Sequence, residues 1–220
     1  MVAHARQGAT DVCPFVPVAD FSMEDCVELA RRLGKRVGEE LSLPVFLYER
    51  SATAPHRSNL AAIRKGQFEG MAEKIKLPEW KPDYGPAQIH PSAGATAIGA
   101  RMPLVAYNVN LDSSNIEIAN EIAKRVRHIS GGYRYVRAMG VELSDKGMVQ
   151  VSMNVTNYEK TPLPRILETI RAEAARYGVN VAGTELIGAV PLGVLEQVTR
   201  YYLQSHDLDD GQIVEMSLLE

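Results

Sequence analysis

Two observations predict an α+β chain. From Leu104 onward the elements read strand, helix, strand, strand, helix, strand and a terminal helix, and residues 149–155 alternate apolar and polar as a sheet with one buried face does. A third observation concerns the part before residue 50, which supplies only strand, helix, strand. The βαββαβ order is that of the split βαβ, ferredoxin-like unit, in which helices pack on one face of an antiparallel sheet. The expected architecture is therefore two ferredoxin-like subdomains, 1–100 and 101–220, the first of them incomplete and so left with an uncovered sheet edge.

Taken in order, VCPFVPV (12–18) is a short apolar strand that Pro14 and Pro17 confine to an edge or an irregular segment. The next twenty residues open with Ser22 and, three positions on, Asp25, a capping pair. They place Cys26, Leu29, Ala30, Leu33, Val37 and Leu41 on one helical stripe. A buried strand follows from Pro44 to Tyr48, then a polar stretch to about residue 76 with short helices around SNLAAIRKG and QFEGMAEKI. From Pro78 to Gly99 the chain is rich in proline and glycine and reads as a long loop. A loop of that length in a compact domain is either a binding segment or a linker between subdomains, and the residues alone leave both open.

In the second half, LVAYNVNL is a strand, and a helix follows with Ile118, Ile122, Val126 and Ile129 on one face. RAMGVEL and MVQVSMNVTNY make a hairpin through SDKG. Thr161 and Pro162 start a helix whose stripe is Leu163, Ile166, Leu167, Ile170, Ala174 and Tyr177, and Gly178 stops it. VAGTELIGAVP is the last strand and PLGVLEQVTRYYLQ the last helix.

Composition narrows the function classes. A 45% hydrophobic, 23% charged chain of 220 residues has the balance of an ordinary globular protein. A net charge of −3 gives no electrostatic reason to expect nucleic acid or an acidic membrane surface as a partner. No stretch is long and apolar enough to span a membrane and the start lacks a secretory signal, so the expected location is the cytoplasm. Cys13 and Cys26 have no metal-site or redox spacing and read as reduced packing residues, and no metal is expected.

Histidine is the side chain best suited to take a proton near neutral pH. Of the five, His128 ends a charged helix and His206 sits in an acidic tail, so both read as surface residues, and His56 reads as a loop or helix-start residue. His90 lies inside the long loop, where a ligand contact is credible. His4 has Arg6 and Asp11 close by, a cation able to hold an anionic substrate and a carboxylate able to orient an imidazole. Taken without context, such a trio at a chain start more often belongs to a frayed terminus.

The stretch HARQGATDVCPFVPV resembles the HPRMGATDVCPFVPV segment of the glutamate formimidoyltransferases, a family that includes the transferase part of formimidoyltransferase-cyclodeaminases. The likeness continues through VFLYERSAT, LAAIRKGQFEGM, PDYGP, HPSAGATAIGARMPLVAYNVNL and QVSMNVTNYEKTPL, over essentially the whole chain. It implies transfer of the formimidoyl group from N-formimidoyl-L-glutamate to N5 of tetrahydrofolate, a cosubstrate, in histidine breakdown and one-carbon metabolism. The family's catalytic general base falls on His4. Its folate-binding stretch falls on Gly85, Pro86, Ala87, Gln88, Ile89, His90, Pro91, Ser92, Ala93 and Gly94, where glycines and prolines let backbone groups approach a flat pterin. Arg6 and Arg101 are candidates for substrate carboxylates because a guanidinium holds a carboxylate through two parallel hydrogen bonds; a surface salt bridge is the competing account of Arg101. A homodimer is expected.

Two departures from the family pattern stand beside the motif. Ala5 replaces its usual proline and Gln7 its frequent methionine. The family's front section, which opens with a motif like ECVPNFSEG, is expected to be absent, which leaves open a noncatalytic folate-binding subunit that needs a separate N-terminal half; a formyl-donor transferase of the same fold is a further alternative.

Overall fold

The computed structural model describes residues 6–18 and 20–216. The chain divides into two compact units, Met1–Met102 and Pro103–Glu220.

The first unit is a three-stranded parallel sheet in the order β1 (Val12–Phe15), β3 (Thr96–Ala100), β2 (Val45–Glu49). β1 is an edge strand, as its prolines require, and is four residues long rather than seven. The central strand, β3, lies within the span that reads from sequence as loop. Its TAIGA sequence has little strand propensity, yet every residue in it is buried. Small side chains suit a strand covered on both faces. On one side α2 (Leu60–Arg64) and α3 (Gln67–Lys74) bring Ile63 and Met71 against Phe46, Tyr48 and Ala97. On the other side α1 (Met23–Glu40) brings Ala30, with Leu33 and Val37 partly buried, against Val45, Leu47 and Ile98.

The capping pair at the start of α1 is present in full. The Ser22 hydroxyl accepts the Asp25 N–H at 3.1 Å, and the Asp25 carboxylate accepts the Ser22 N–H at 3.0 Å. Such a cap contributes about 1 kcal/mol. The buried line of α1 is Cys26, Ala30, Gly34 and Gly38, a narrower set than the expected stripe. Leu41 is 60% exposed because the helix ends at Glu40 and Leu41 only caps it. Gly38 is a close-approach position: a Cβ there would lie 2.5 Å from the Gly85 nitrogen and 2.8 Å from the Tyr84 Cβ. The absence of side chains at Gly34 and Gly38 thus lets residues 84–85 pack directly on α1.

The second unit has the order β5 (Val136–Leu143), β6 (Met148–Val155), β4 (Val105–Leu111), β7 (Val181–Ile187), all antiparallel. With α4 (Ile116–Val126) and α5 (Leu163–Ala175) this is the expected βαββαβ unit, followed by α6 (Leu192–Leu203). Val105, Tyr107, Val109 and Leu111 face Val149, Val151, Met153 and Val155 in one core with Ile122, Ile166 and Ile170. The SDKG turn is a short 3-10 turn closed by Gly147. Two residues assigned to helix faces lie outside them. Ile129 is 88% exposed because α4 stops at Val126 and the chain turns extended at Arg127. Tyr177 is 42% exposed, past the end of α5 in the turn that leads to Gly178. Among the described residues no helix is long and apolar enough to cross a membrane.

Candidate functional site

The long loop of the first unit is tied down at both ends. At its entry, Asp83 is buried and pairs with the buried Arg57 guanidinium at 2.9 Å. The same carboxylate accepts the Leu47 N–H at 2.8 Å and the Thr53 hydroxyl, while Arg57 also donates to the Glu79 and Lys81 carbonyls at 3.0 and 2.5 Å. This anchor fixes the chain to β2 immediately before the candidate folate stretch. The nearby Trp80 ring stacks edge-on with His56 at 4.8 Å and lies under the Lys74 ammonium at 3.9 Å. Lys74 donates to the Ala62 and Ile63 carbonyls at 2.5 and 2.7 Å, closing the C-terminal end of α2. Burial, and then the charge of Lys65, pull its ammonium down to about 8.

At its exit, the loop pairs with the segment that follows His4. Ala95 N–H donates to the Gln7 carbonyl at 3.0 Å and Ala9 N–H to the Ala93 carbonyl at 2.9 Å, with Gly8 opposite Gly94. Gly94 has φ +75°, and a Cβ there would lie 2.5 Å from the Gln7 oxygen and 2.7 Å from the Gly8 Cα. Only glycine allows this contact. The motif HARQGATD and the motif HPSAGA, far apart in sequence, are thereby brought together along one short ladder.

Within the loop, His90 and Gly94 exchange both backbone hydrogen bonds, at 3.0 and 2.9 Å. The His90 ring is held by its own turn, because Nδ1 accepts the Ala93 N–H at 3.1 Å and the Ser92 N–H at 3.4 Å. An Nδ1 that accepts leaves the ring proton on Nε2, so His90 presents a donor there. Ile89 is anchored against the core of Phe46 and Met71. Gly85, Pro86, Ala87, Gln88, Pro91 and Ser92 are exposed. The stretch is therefore a surface hoop with fixed feet, whose glycine, proline and small residues leave its backbone open to a flat, polar-edged ligand.

The other sequence candidates divide. His4 lies outside the described residues. Arg6 is exposed at the start of the ladder. Asp11 does not offer a free carboxylate: one oxygen accepts the Gln7 N–H at 3.0 Å and the other pairs with Arg64, so Asp11 braces the segment. Gln7, which sequence reasoning treated only as a departure, is fully buried, and its side-chain amide donates to the Asp11 carbonyl at 3.3 Å. Arg64 carries no local signal because its partner is 53 residues away. Arg101 lies just past the far end of β3, seven residues beyond Gly94 and so up to about 23 Å away at the rise of a strand. There it donates to the Met102 carbonyl at 3.0 Å and opposes the upward shift that burial imposes on the Tyr48 hydroxyl. Among the described residues no group of three or more His, Cys, Asp or Glu could hold a metal ion.

Comparison with known proteins bears on both units. The family model for the formiminotransferase domain, N-terminal subdomain, matches residues 2–101, and that for the formiminotransferase domain matches residues 106–218. A glutamate formimidoyltransferase of Streptococcus pyogenes serotype M1 is 57% identical over 98% of this chain and 73% of its own length. One of Thermoplasma acidophilum is 52% identical over 98% of this chain and 71% of its own. A formimidoyltransferase-cyclodeaminase of Dictyostelium discoideum is 41% identical over 93% of this chain and 39% of its own length. With one family segment on each structural unit and such identity over nearly its whole length, the chain belongs to the formiminotransferase family.

Proposed function

We propose that this chain transfers the formimidoyl group of N-formimidoyl-L-glutamate to N5 of tetrahydrofolate, a step of histidine degradation that feeds one-carbon metabolism. The support is the identity to two named glutamate formimidoyltransferases, 57% and 52%, over 98% of the chain. The observation that carries the site is the ladder between residues 7–9 and 93–95. It ties the stretch after His4 to the end of the 85–94 hoop.

In this reading, residues 85–94 receive the pterin, Arg6 and Arg101 hold substrate carboxylates, and His4 is the general base. A new C–N5 bond forms at the formimidoyl carbon while His4 takes the proton that N5 sheds. The imidazolium then returns that proton to the glutamate nitrogen as the old C–N bond breaks, so glutamate leaves as an amine and His4 is restored. Holding two anionic, flexible substrates in register supplies much of the remaining rate. The homodimer that the family resemblance implies and the cytoplasmic location expected from the sequence belong to the same proposal.

The test is a transfer assay with the purified chain and its His4→Ala variant. The expected result is 5-formimidoyltetrahydrofolate from the parent chain and a rate lower by about 10²-fold or more in the variant. A folded parent chain that makes no product overturns the transferase reading, and an undiminished variant overturns the role of His4.

A further inference from the structure

Between the ladder and β1, residues 7–11 form a turn that is closed twice on itself. The Gln7 N–H donates to Asp11 Oδ1 at 3.0 Å, and the Gln7 side-chain amide donates to the Asp11 carbonyl at 3.3 Å. That carbonyl also accepts the Ala97 N–H of β3 at 3.0 Å, so Asp11 is where the turn meets the sheet. Its second carboxylate oxygen is held by the Arg64 guanidinium.

Arg64 reaches Asp11 from a fixed stem. It is the last residue of α2, which opens on the Asn59 side chain accepting the Ala61 N–H at 3.0 Å and buries Ile63 against Phe46. The Lys74 ammonium closes the other end of the helix on the Ala62 and Ile63 carbonyls. The two side chains of the pair are 28% and 19% exposed, so water screens them less than it does a surface salt bridge. A turn that only had to connect the ladder to β1 would need no such partner, because its backbone is already tied to the loop and to the sheet. A largely buried carboxylate matched by a cation on another element instead selects one orientation of the turn. The hoop does not depend on the pair: His90 and Gly94 exchange their own hydrogen bonds, and Ile89 is seated in the core. The pair therefore acts on one side of the ladder, the side that continues toward His4.

We infer that Arg64 is a positioning residue of the transfer step: through Asp11 it holds residues 7–11 in one orientation, and so sets the rate of the step that uses His4 rather than the affinity of the hoop for folate. This inference rests on the transferase reading for the reaction concerned.

The experiment compares steady-state transfer and amide hydrogen exchange in the purified chain and in its Arg64→Met, Arg64→Lys and Asp11→Asn variants, with urea titration to verify the fold. Arg64→Met is expected to lower kcat by about 10- to 100-fold, the scale of a misplaced reacting group, while KM for tetrahydrofolate stays within about twofold. Arg64→Lys, which keeps the cation, should recover most of the lost rate. Asp11→Asn should resemble Arg64→Met, and the Arg64→Met/Asp11→Asn double variant should be no slower than either single variant, because the two residues act as a unit. Exchange of the Gln7 amide should quicken by about tenfold or more in Arg64→Met, with the His90 amide unchanged. An unaltered kcat, a loss carried by KM, multiplying losses in the double variant, or unaltered exchange at Gln7 would each overturn the assignment. Failure of the transferase reading looks different: the parent chain makes no product while Gln7 exchange still responds to Arg64→Met.

Discussion

Replacing Asp83 by alanine removes one carboxylate that serves three groups directly, the Arg57 guanidinium, the Leu47 N–H and the Thr53 hydroxyl, and, through Arg57, the two carbonyls of residues 79 and 81. Both charged side chains are more than nine-tenths buried, 8% and 7% exposed, so solvent cannot replace the lost partner. Leaving a buried guanidinium unpaired costs about 3–5 kcal/mol. For a unit of roughly 100 residues that corresponds to a fall in Tm of more than about 10 °C. The chain contains a single tryptophan, Trp80, three residues from Asp83, so its fluorescence reports this unit without interference from the other. Urea titration followed at Trp80 should show the Asp83→Ala midpoint moving sharply down, and the Arg57→Met/Asp83→Leu double variant should recover most of the loss because the uncompensated charge is gone. A single-variant shift below about 1 kcal/mol, or a double variant whose losses simply add, would refute the claim that the pair anchors the loop.

Two further predictions concern the same unit. Gly94→Ala forces a side chain into the left-handed region and against the Gln7 backbone, so the ladder to residues 7–9 should open; tetrahydrofolate affinity measured by calorimetry should fall about tenfold or more, while the Trp80 unfolding midpoint should fall by only about 1–3 kcal/mol. Lys74 should titrate near 8, visible as a change in Trp80 emission that Lys74→Met abolishes, since the cation over the ring is what disappears. Between about 8 and its usual 10.5 the unfolded chain holds this proton more tightly than the native one, so the contribution of Lys74 to stability rises with pH across that window.

What could be read from the sequence was whatever rests on local periodicity or on residues a few positions apart. The capping box of α1, the alternation in β6 and the βαββαβ order of the second unit all have that character, and all are present. β3 lacks it. A strand sandwiched between helices alternates nothing, and TAIGA is made of small residues because its neighbours occupy the space, so it merges with the proline- and glycine-rich loop before it. The buried line of α1 misled for a related reason: Gly34 and Gly38 carry no hydrophobic signal, yet they form the contact surface because another backbone takes the place of a side chain.

The site follows the same division. The resemblance points to His4 and to residues 85–94, but neither motif by itself says that the backbone at 7–9 pairs with the backbone at 93–95. That pairing joins three positions to three others across a whole βα-containing excursion. Asp11 shows why type and proximity in sequence are insufficient: a carboxylate near a histidine suggested an orienting role, whereas Arg64, 53 residues away, and the Gln7 N–H claim both its oxygens. Glu185 is the converse case. Nothing in GTELIG marks it, and its chemistry becomes visible only when β7 is laid beside β4, with β6 on the other side of β4, so that two amides 75 and 35 residues away converge on one carboxylate. A polar residue on the open face of a strand is ordinarily a solvated one. The contacts that hold Glu185 are a property of register rather than of any segment of the sequence.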